Sequence, residues 1–220
     1  MSSRVLTVLT SHDLLGTTGR QTGFWLEELV TPVLAFRRAG LRVDLASVRG
    51  GRPPVDPASA DFDTSAVADL DALLADTAAL KSVDPGDYAA VFLVGGHGTM
   101  WDFPDDDTLA GIVSSVYRTG IVAAVCHGST GLLGATTADG SPLVAGRTVA
   151  AFSDAEEALA GADTVIPFSL QQRLTALGAV VEEGAPFTAT VRRDGRLITG
   201  QNPASSAGVA EALVQALPLP

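Results

Sequence analysis

Apolar residues arrive along the chain in two alternating rhythms: short unbroken runs, and longer stretches with helical spacing. The run Arg4–Thr10 (RVLTVLT), rich in leucine and β-branched residues, predicts a strand, and the polar, glycine-containing Ser11–Thr22 predicts a long loop after it. In Phe24–Ala39 the apolar side chains recur at Phe24, Leu26, Leu29, Val30, Val33, Leu34 and Phe36. This spacing predicts a helix stopped by Gly40, with Pro32 as a candidate kink. Leu41–Val48 predicts a second strand, Gly50–Ser59 a surface excursion and Ala66–Leu80 a helix. Ala89–Val94 (AAVFLV) is apolar throughout, as expected of a central parallel strand buried on both faces.

Asp105–Thr119 predicts a helix with acidic residues in its first turn and Gly120 at its end. Ile121–Val125 (IVAAV) is a further buried strand, and it runs straight into Cys126-His127-Gly128 and a short helix, Ser129–Leu133. Beyond lie a turn at Asp139-Gly140, a strand at Thr148–Phe152 and helices near Ala155–Leu159 and Ser169–Leu177. A hairpin follows, in which Thr188–Arg193 and Arg196–Thr199 flank Asp194-Gly195, and the helix Ser205–Leu217 closes the pattern. Strands alternating with helices define an α/β fold: a three-layer sandwich whose mostly parallel, flavodoxin-like sheet carries helices on both faces. Such sheets bind ligands outside the carboxyl ends of their strands, which is where Cys126 falls. At 220 residues, one domain over 1–220 is expected.

Composition narrows the functional classes. A hydrophobic fraction of 46%, spread along the chain, indicates a folded protein, and no apolar run reaches membrane-spanning length. The N-terminal stretch has a single Arg and no small-residue cleavage pattern, so it reads as a first strand rather than a signal peptide. One cysteine excludes an internal disulfide and favours a reducing compartment, so a cytoplasmic location is expected. The formal charge of −11 opposes binding to nucleic acid or to anionic lipid, both of which need a positive surface.

The candidate chemistry gathers at the strand ends. A strand feeding a tight turn puts Cys126 at the crest, the cysteine counterpart of a G-x-S-x-G elbow, where backbone N–H groups are expected to favour the thiolate and hold an oxyanion. Two of the three histidines, His97 and His127, lie in or beside strand-end loops; the third, His12, reads as a loop residue. The loop Gly95-Gly96-His97-Gly98-Thr99 lacks the lysine of a phosphate loop. Its Gly96 amide is instead a second oxyanion donor beside that of His127, with His97 nearby in the substrate-binding set. Three histidines and one cysteine without ligand spacing point away from a dedicated zinc site, and Asp105-Asp106-Asp107 lacks the glycine and glutamate of a calcium loop. No metal or cofactor is expected.

The stretches VFLVGGHGTMWDFPDD (91–106) and IVAAVCHGSTGLL (121–133) resemble the ThiJ/PfpI superfamily, within the class I glutamine amidotransferase-like fold. The closer resemblance is to its heat-shock-chaperone branch, which has glutathione-independent glyoxalase (glyoxalase III) activity. TGFWLEELVTP (22–32), VAAFSDAEEAL (149–159) and ITGQNPASSA (198–207) extend the match over nearly the whole chain. The resemblance implies that Cys126 is the nucleophile, His127 its neighbouring base and Glu157 the acid that orients the histidine, with Glu156 as the nearby alternative. It also implies that the carboxyl beside the cysteine is Glu28 rather than Glu27. Helical spacing agrees, since Glu28 follows Phe24 by four residues. One departure is Ser129, where the branch commonly has proline; serine can still begin a helix.

What the resemblance implies is an enzyme of glyoxalase III type, a lyase (D-lactate dehydratase) converting methylglyoxal or a related 2-oxoaldehyde to the 2-hydroxy acid without glutathione. Its partners would be the small substrate and a second copy in a homodimer. The competing readings are a holdase chaperone or protein deglycase of the same family, a cysteine hydrolase or amidase, and a redox sensor built on the lone thiol.

Overall fold

The computed structural model describes residues 3–217. Strands β1 (Arg4–Leu9), β2 (Arg42–Ser47), β3 (Ala78–Ala79), β4 (Ala90–Leu93), β5 (Ile121–Val125), β8 (Val191–Asp194) and β9 (Leu197–Gly200) form a seven-stranded sheet in the order β3-β2-β1-β4-β5-β9-β8. All neighbours are parallel except β8, which pairs antiparallel with β9 at the edge. A separate parallel pair joins β6 (Thr148–Val149) to β7 (Val180–Val181). The helices are α1 (Leu26–Arg38), α2 (Leu70–Ala75), α3 (Thr99–Asp102), α4 (Asp107–Thr119), α5 (Asp154–Ala160), α6 (Leu170–Ala176) and α7 (Ser206–Ala216). The expected mostly parallel flavodoxin-like sandwich is therefore observed.

Alternation within the strands builds the two halves of the core. Val5, Leu9, Phe92, Val94, Ala123 and Val125 face one side, where they pack with α1, α2 and α7. Leu6, Val8, Val91, Leu93, Val122 and Ala124 face the other, where they pack with α4 and α6. Because successive side chains point to opposite faces, a central strand covered by helices on both sides must be apolar at every position. The unbroken runs in β4 and β5 have this cause.

Four expectations are corrected. The Ala66–Leu80 helix shrinks to Leu70–Ala75, because Thr77 pairs with Gly51 through both backbone groups and Ala78–Ala79 then adds to β2 as an edge strand. Thr148–Phe152 extends only over Thr148–Val149 as a strand; after it the Ala150 N–H is taken by the Thr199 hydroxyl at 2.8 Å. The hairpin turn is Gly195-Arg196, one residue later than expected, with Asp194 paired to Leu197 and Gly195 at φ +61°. Asp194 is held in the strand by accepting the Thr148 N–H at 3.0 Å. The first helix runs uninterrupted through Pro32 but starts at Leu26, since Phe24 bridges to Val55 through its backbone.

The strand order reverses direction between β1 and β4, and the crevice at such a switch point is where these sheets hold ligands. The loops after β4 and β5, and α1 after the loop that follows β1, converge there.

Candidate active site

The sharpest local feature is at the end of β5. Cys126 has φ +57°, the left-handed region that costs a residue with a side chain about 1–2 kcal/mol. It opens a 3-10 turn, Cys126–Leu132, rather than preceding a helix at Ser129. The neighbouring strand end leaves no room for a larger residue: a Cβ on Gly95 would lie 2.5 Å from a Glu28 oxygen and 2.9 Å from the Cys126 Cβ. At Gly96 φ is +108°, and a Cβ would lie 2.4 Å from the Gly23 carbonyl. These two glycines let the β4 loop press against both α1 and the nucleophile turn.

Around the sulfur the structure gathers four groups. His127 Nδ1 lies 3.3 Å from Cys126 Sγ, and the His127 and Gly96 backbone N–H groups hydrogen-bond the sulfur. Glu28 is completely buried; its Oε2 accepts the Gly95 N–H at 2.8 Å and its carboxyl interacts with the Cys126 thiol. Glu27 is only half-buried, so of the two it is Glu28 that the structure brings to the sulfur. Behind His127, its Nε2 bonds Glu157 Oε2 at 2.8 Å, while His97 Nε2 bonds the other oxygen, Oε1, at 2.7 Å. The two imidazoles are 4.3 Å apart between centroids, and Phe152 covers His127 at the same distance.

Glu157 thus needs both imidazoles as donors through Nε2, which leaves the His127 Nδ1 lone pair directed at the sulfur. Glu156, the alternative carboxylate, does something else. It closes a capping box with Ser153 at the start of α5 and accepts the Phe187 N–H and the Asn202 amide, each at 2.8 Å. Adjacent positions on α5 therefore point one carboxylate at the imidazoles and the other at the following loops.

Burial governs the protonation states. Desolvation of Glu28 pushes its carboxyl well above the ordinary carboxylate range and favours the protonated acid. Burial and the adjacent Glu28 also push the Cys126 thiol up; the two amide donors act in the opposite direction and lose. This corrects the expectation of a thiolate favoured by the turn alone. His127 is lowered, first by burial and then by His97, so its imidazole is neutral at physiological pH. For Glu157 burial opposes the charge, but the His127 imidazole and the hydrogen bonds from both rings outweigh it and hold the carboxyl well below its usual range. Burial thus favours the thiol of Cys126, the neutral imidazole of His127 and the protonated carboxyl of Glu28.

The donor atoms of His97, His127 and Glu157 lie within 4.8 Å of one another, a set with the chemistry of a divalent-cation site, although each nitrogen already bonds the carboxylate. His12 stacks on Trp101 at 5.1 Å and bonds the Leu14 carbonyl.

Residue-by-residue reading missed the hydroxyls that staple the loops together. The Thr99 hydroxyl lies 2.9 Å from both the Gly96 and His127 carbonyls, and Thr130 bonds the His127 carbonyl at 2.8 Å. Asp102 ties the loop after β1 to α3 by accepting the Thr10 hydroxyl and the Ser11 N–H, each at 2.7 Å. Thr99 and Asp102 both stand in the GGHGT-x-x-D segment, whose spacing carried the signal without its reason.

The fold and site define a class: α/β proteins with a parallel sheet and a cysteine on a strained turn at a strand's carboxyl end. Within it the chain belongs to the DJ-1/PfpI family, whose pattern matches residues 21–216. It is 32% identical over 239 aligned positions to the glutathione-independent glyoxalase HSP31 of Saccharomyces cerevisiae, covering 97% of this chain and 98% of that protein. Glyoxalase III of Candida albicans superposes with a TM-score of 0.91 at 29% identity, covering 98% of each chain. The Rapid Encystment Protein of Francisella tularensis superposes with a TM-score of 0.93 at 33% identity, covering 97% of this chain and 98% of that one. The superfamily resemblance read from the motifs is thereby borne out. Among the described residues no helix is long and apolar enough to cross a membrane.

Proposed function

We propose that the protein is a glutathione-independent glyoxalase that converts 2-oxoaldehydes such as methylglyoxal to 2-hydroxy acids. The observation that carries this reading is the line from Cys126 Sγ to His127 Nδ1 at 3.3 Å and from His127 Nε2 to Glu157 at 2.8 Å, with Glu28 buried on the sulfur's other side. The names of its relatives support it.

Cys126 adds to the aldehyde carbon as its proton passes to His127, giving a hemithioacetal whose oxygen is held by the Gly96 and His127 amides. The hydrogen on that carbon leaves as a proton and returns to the adjacent carbon, with Glu28 and His127 as the groups that take and give protons. This converts the hemithioacetal to a 2-hydroxy thioester, and water then releases the acid and restores the thiol. Atoms balance with one water and no external oxidant or reductant. Purified protein in glutathione-free buffer is expected to make lactate from methylglyoxal, and Cys126→Ala to make none. Equal yields from both proteins would end the proposal.

A further inference from the structure

Among the described residues the non-glycine positions in the left-handed region are Cys126, at φ +57°, and Phe187, at φ +55°. The first is the proposed nucleophile; the second lies on the far side of the same cluster. The Phe187 ring meets Phe152 edge-on at 6.1 Å, and Phe152 covers His127 at 4.3 Å. A continuous file of rings therefore runs from half-exposed Phe187 to the base that faces the sulfur.

Nothing about loop geometry calls for phenylalanine here. Glycine adopts this φ without strain, and a ring that is 50% exposed gains little from burial. Yet the loop that carries it is tightly held. Gln201 accepts the Gly184 N–H at 2.8 Å, Ser205 accepts the Thr190 N–H at 3.0 Å, and Asn202 donates to the Thr188 carbonyl at 2.8 Å. Glu156 takes the Phe187 N–H itself. All four gripping residues are completely buried, and three of them belong to the QNPASS segment. Strain kept in place by so many buried hydrogen bonds marks a side chain that is being presented.

We infer that Phe187 is an aromatic platform at the outer end of the ring file that leads to His127, and that it selects 2-oxoaldehydes whose other substituent is aromatic or similarly bulky and flat. A planar substituent would lie against the free face of Phe187, along the file that ends at His127, while its aldehyde reaches the sulfur. Glu156 and Asn202 act as positioning residues by fixing the loop. This inference rests on the proposed glyoxalase reading for its substrate class.

The test compares phenylglyoxal with methylglyoxal in the wild type, Phe187→Gly and Phe187→Tyr. Glycine removes the ring while tolerating the backbone, so the loop should persist, and an unchanged thermal midpoint checks that. The ratio of kcat/KM for phenylglyoxal over methylglyoxal is expected to fall about tenfold in Phe187→Gly, mainly through KM, and to recover in Phe187→Tyr. In parallel, the rates at which phenacyl chloride and chloroacetone alkylate Cys126 are measured by mass spectrometry, which needs no turnover. Their ratio is expected to fall in the same variant. Absence of any 2-hydroxy acid from either aldehyde strikes the glyoxalase reading alone. An alkylation ratio that Phe187→Gly leaves within twofold of wild type overturns the role of Phe187.

Discussion

Two buried carboxylates flank Cys126, and they live in opposite conditions. On the α1 side Glu28 has one amide donor and a thiol for company, and burial drives it toward the neutral acid. On the α5 side Glu157, which is less deeply buried, has an imidazole N–H on each oxygen, and those donors keep it charged. Identical functional groups on the two sides of the Cys126–His127 pair are thereby biased toward opposite charge states. Burial alone does not set a carboxylate's state; its depth and the kind of donor aimed at the oxygens set it together.

Substitutions break this contrast in graded ways. Glu28→Gln preserves the shape and the acceptor for Gly95 but can carry no proton, so kcat for methylglyoxal is expected to fall about 10²–10⁴-fold. In the wild type the alkaline limb of the kcat/KM profile reports loss of the Glu28 proton as pH rises through its raised value. A profile of Glu28→Gln that keeps both that limb and wild-type kcat would remove Glu28 from the chemistry.

Glu157→Gln puts an amide where two N–H groups expect oxygens. Activity is expected to fall about 10²-fold, and chemical denaturation to show a loss of about 1–3 kcal/mol from the unpaired imidazole donor. Because Glu157 raises the His127 pKa, its neutralisation lowers that pKa further. The acid limb should therefore move to lower pH in whatever activity remains; movement to higher pH would contradict the arrangement.

His97→Gln acts in the other direction and more weakly. His97 helps hold the His127 pKa down, so its removal should shift the acid limb upward, with activity reduced about tenfold. Smallest of all, Glu156→Gln weakens the capping box and the grip on Phe187. It is expected to cost about 1 kcal/mol in thermal or chemical unfolding, with the acid limb moving to lower pH by less than in Glu157→Gln because the Glu156 charge also raises the His127 pKa. An acid limb displaced as far as in Glu157→Gln would show that Glu156 holds the imidazole directly.

Much of this was readable residue by residue. The unbroken runs of β4 and β5 announced central strands, and the motif resemblance pointed to Glu28 rather than its neighbour, the one of the two that is completely buried. The motif resemblance placed Glu157 rather than Glu156 toward the histidine, and the structure brings it to 2.8 Å. Other features were hidden because they depend on partners far along the chain. The helix expected over 66–80 lost its C-terminal end to Gly51 and to β2, and the hairpin turn shifted by one residue because Asp194 is engaged by Thr148. Local propensity carries no knowledge of such competitors.

The direction of the Cys126 shift was concealed for the same reason. A turn's amides are visible in a sequence; the burial that outweighs them, with Glu28 arriving from a helix nearly a hundred residues earlier, exists only in the closed fold. His97 likewise showed only as a histidine in a glycine loop, until folding set it on the second oxygen of Glu157.

What the order of residues determined alone is which segments become strands and helices, and that one cysteine ends a buried strand. Periodicity and turn chemistry act over a few neighbouring positions and need no distant partner. Tertiary structure decided the proton inventory, the pairing of two imidazoles on one carboxylate and the presentation of Phe187. Those depend on how much water is excluded and on which donors arrive from remote segments, and both exist only once the layers have closed.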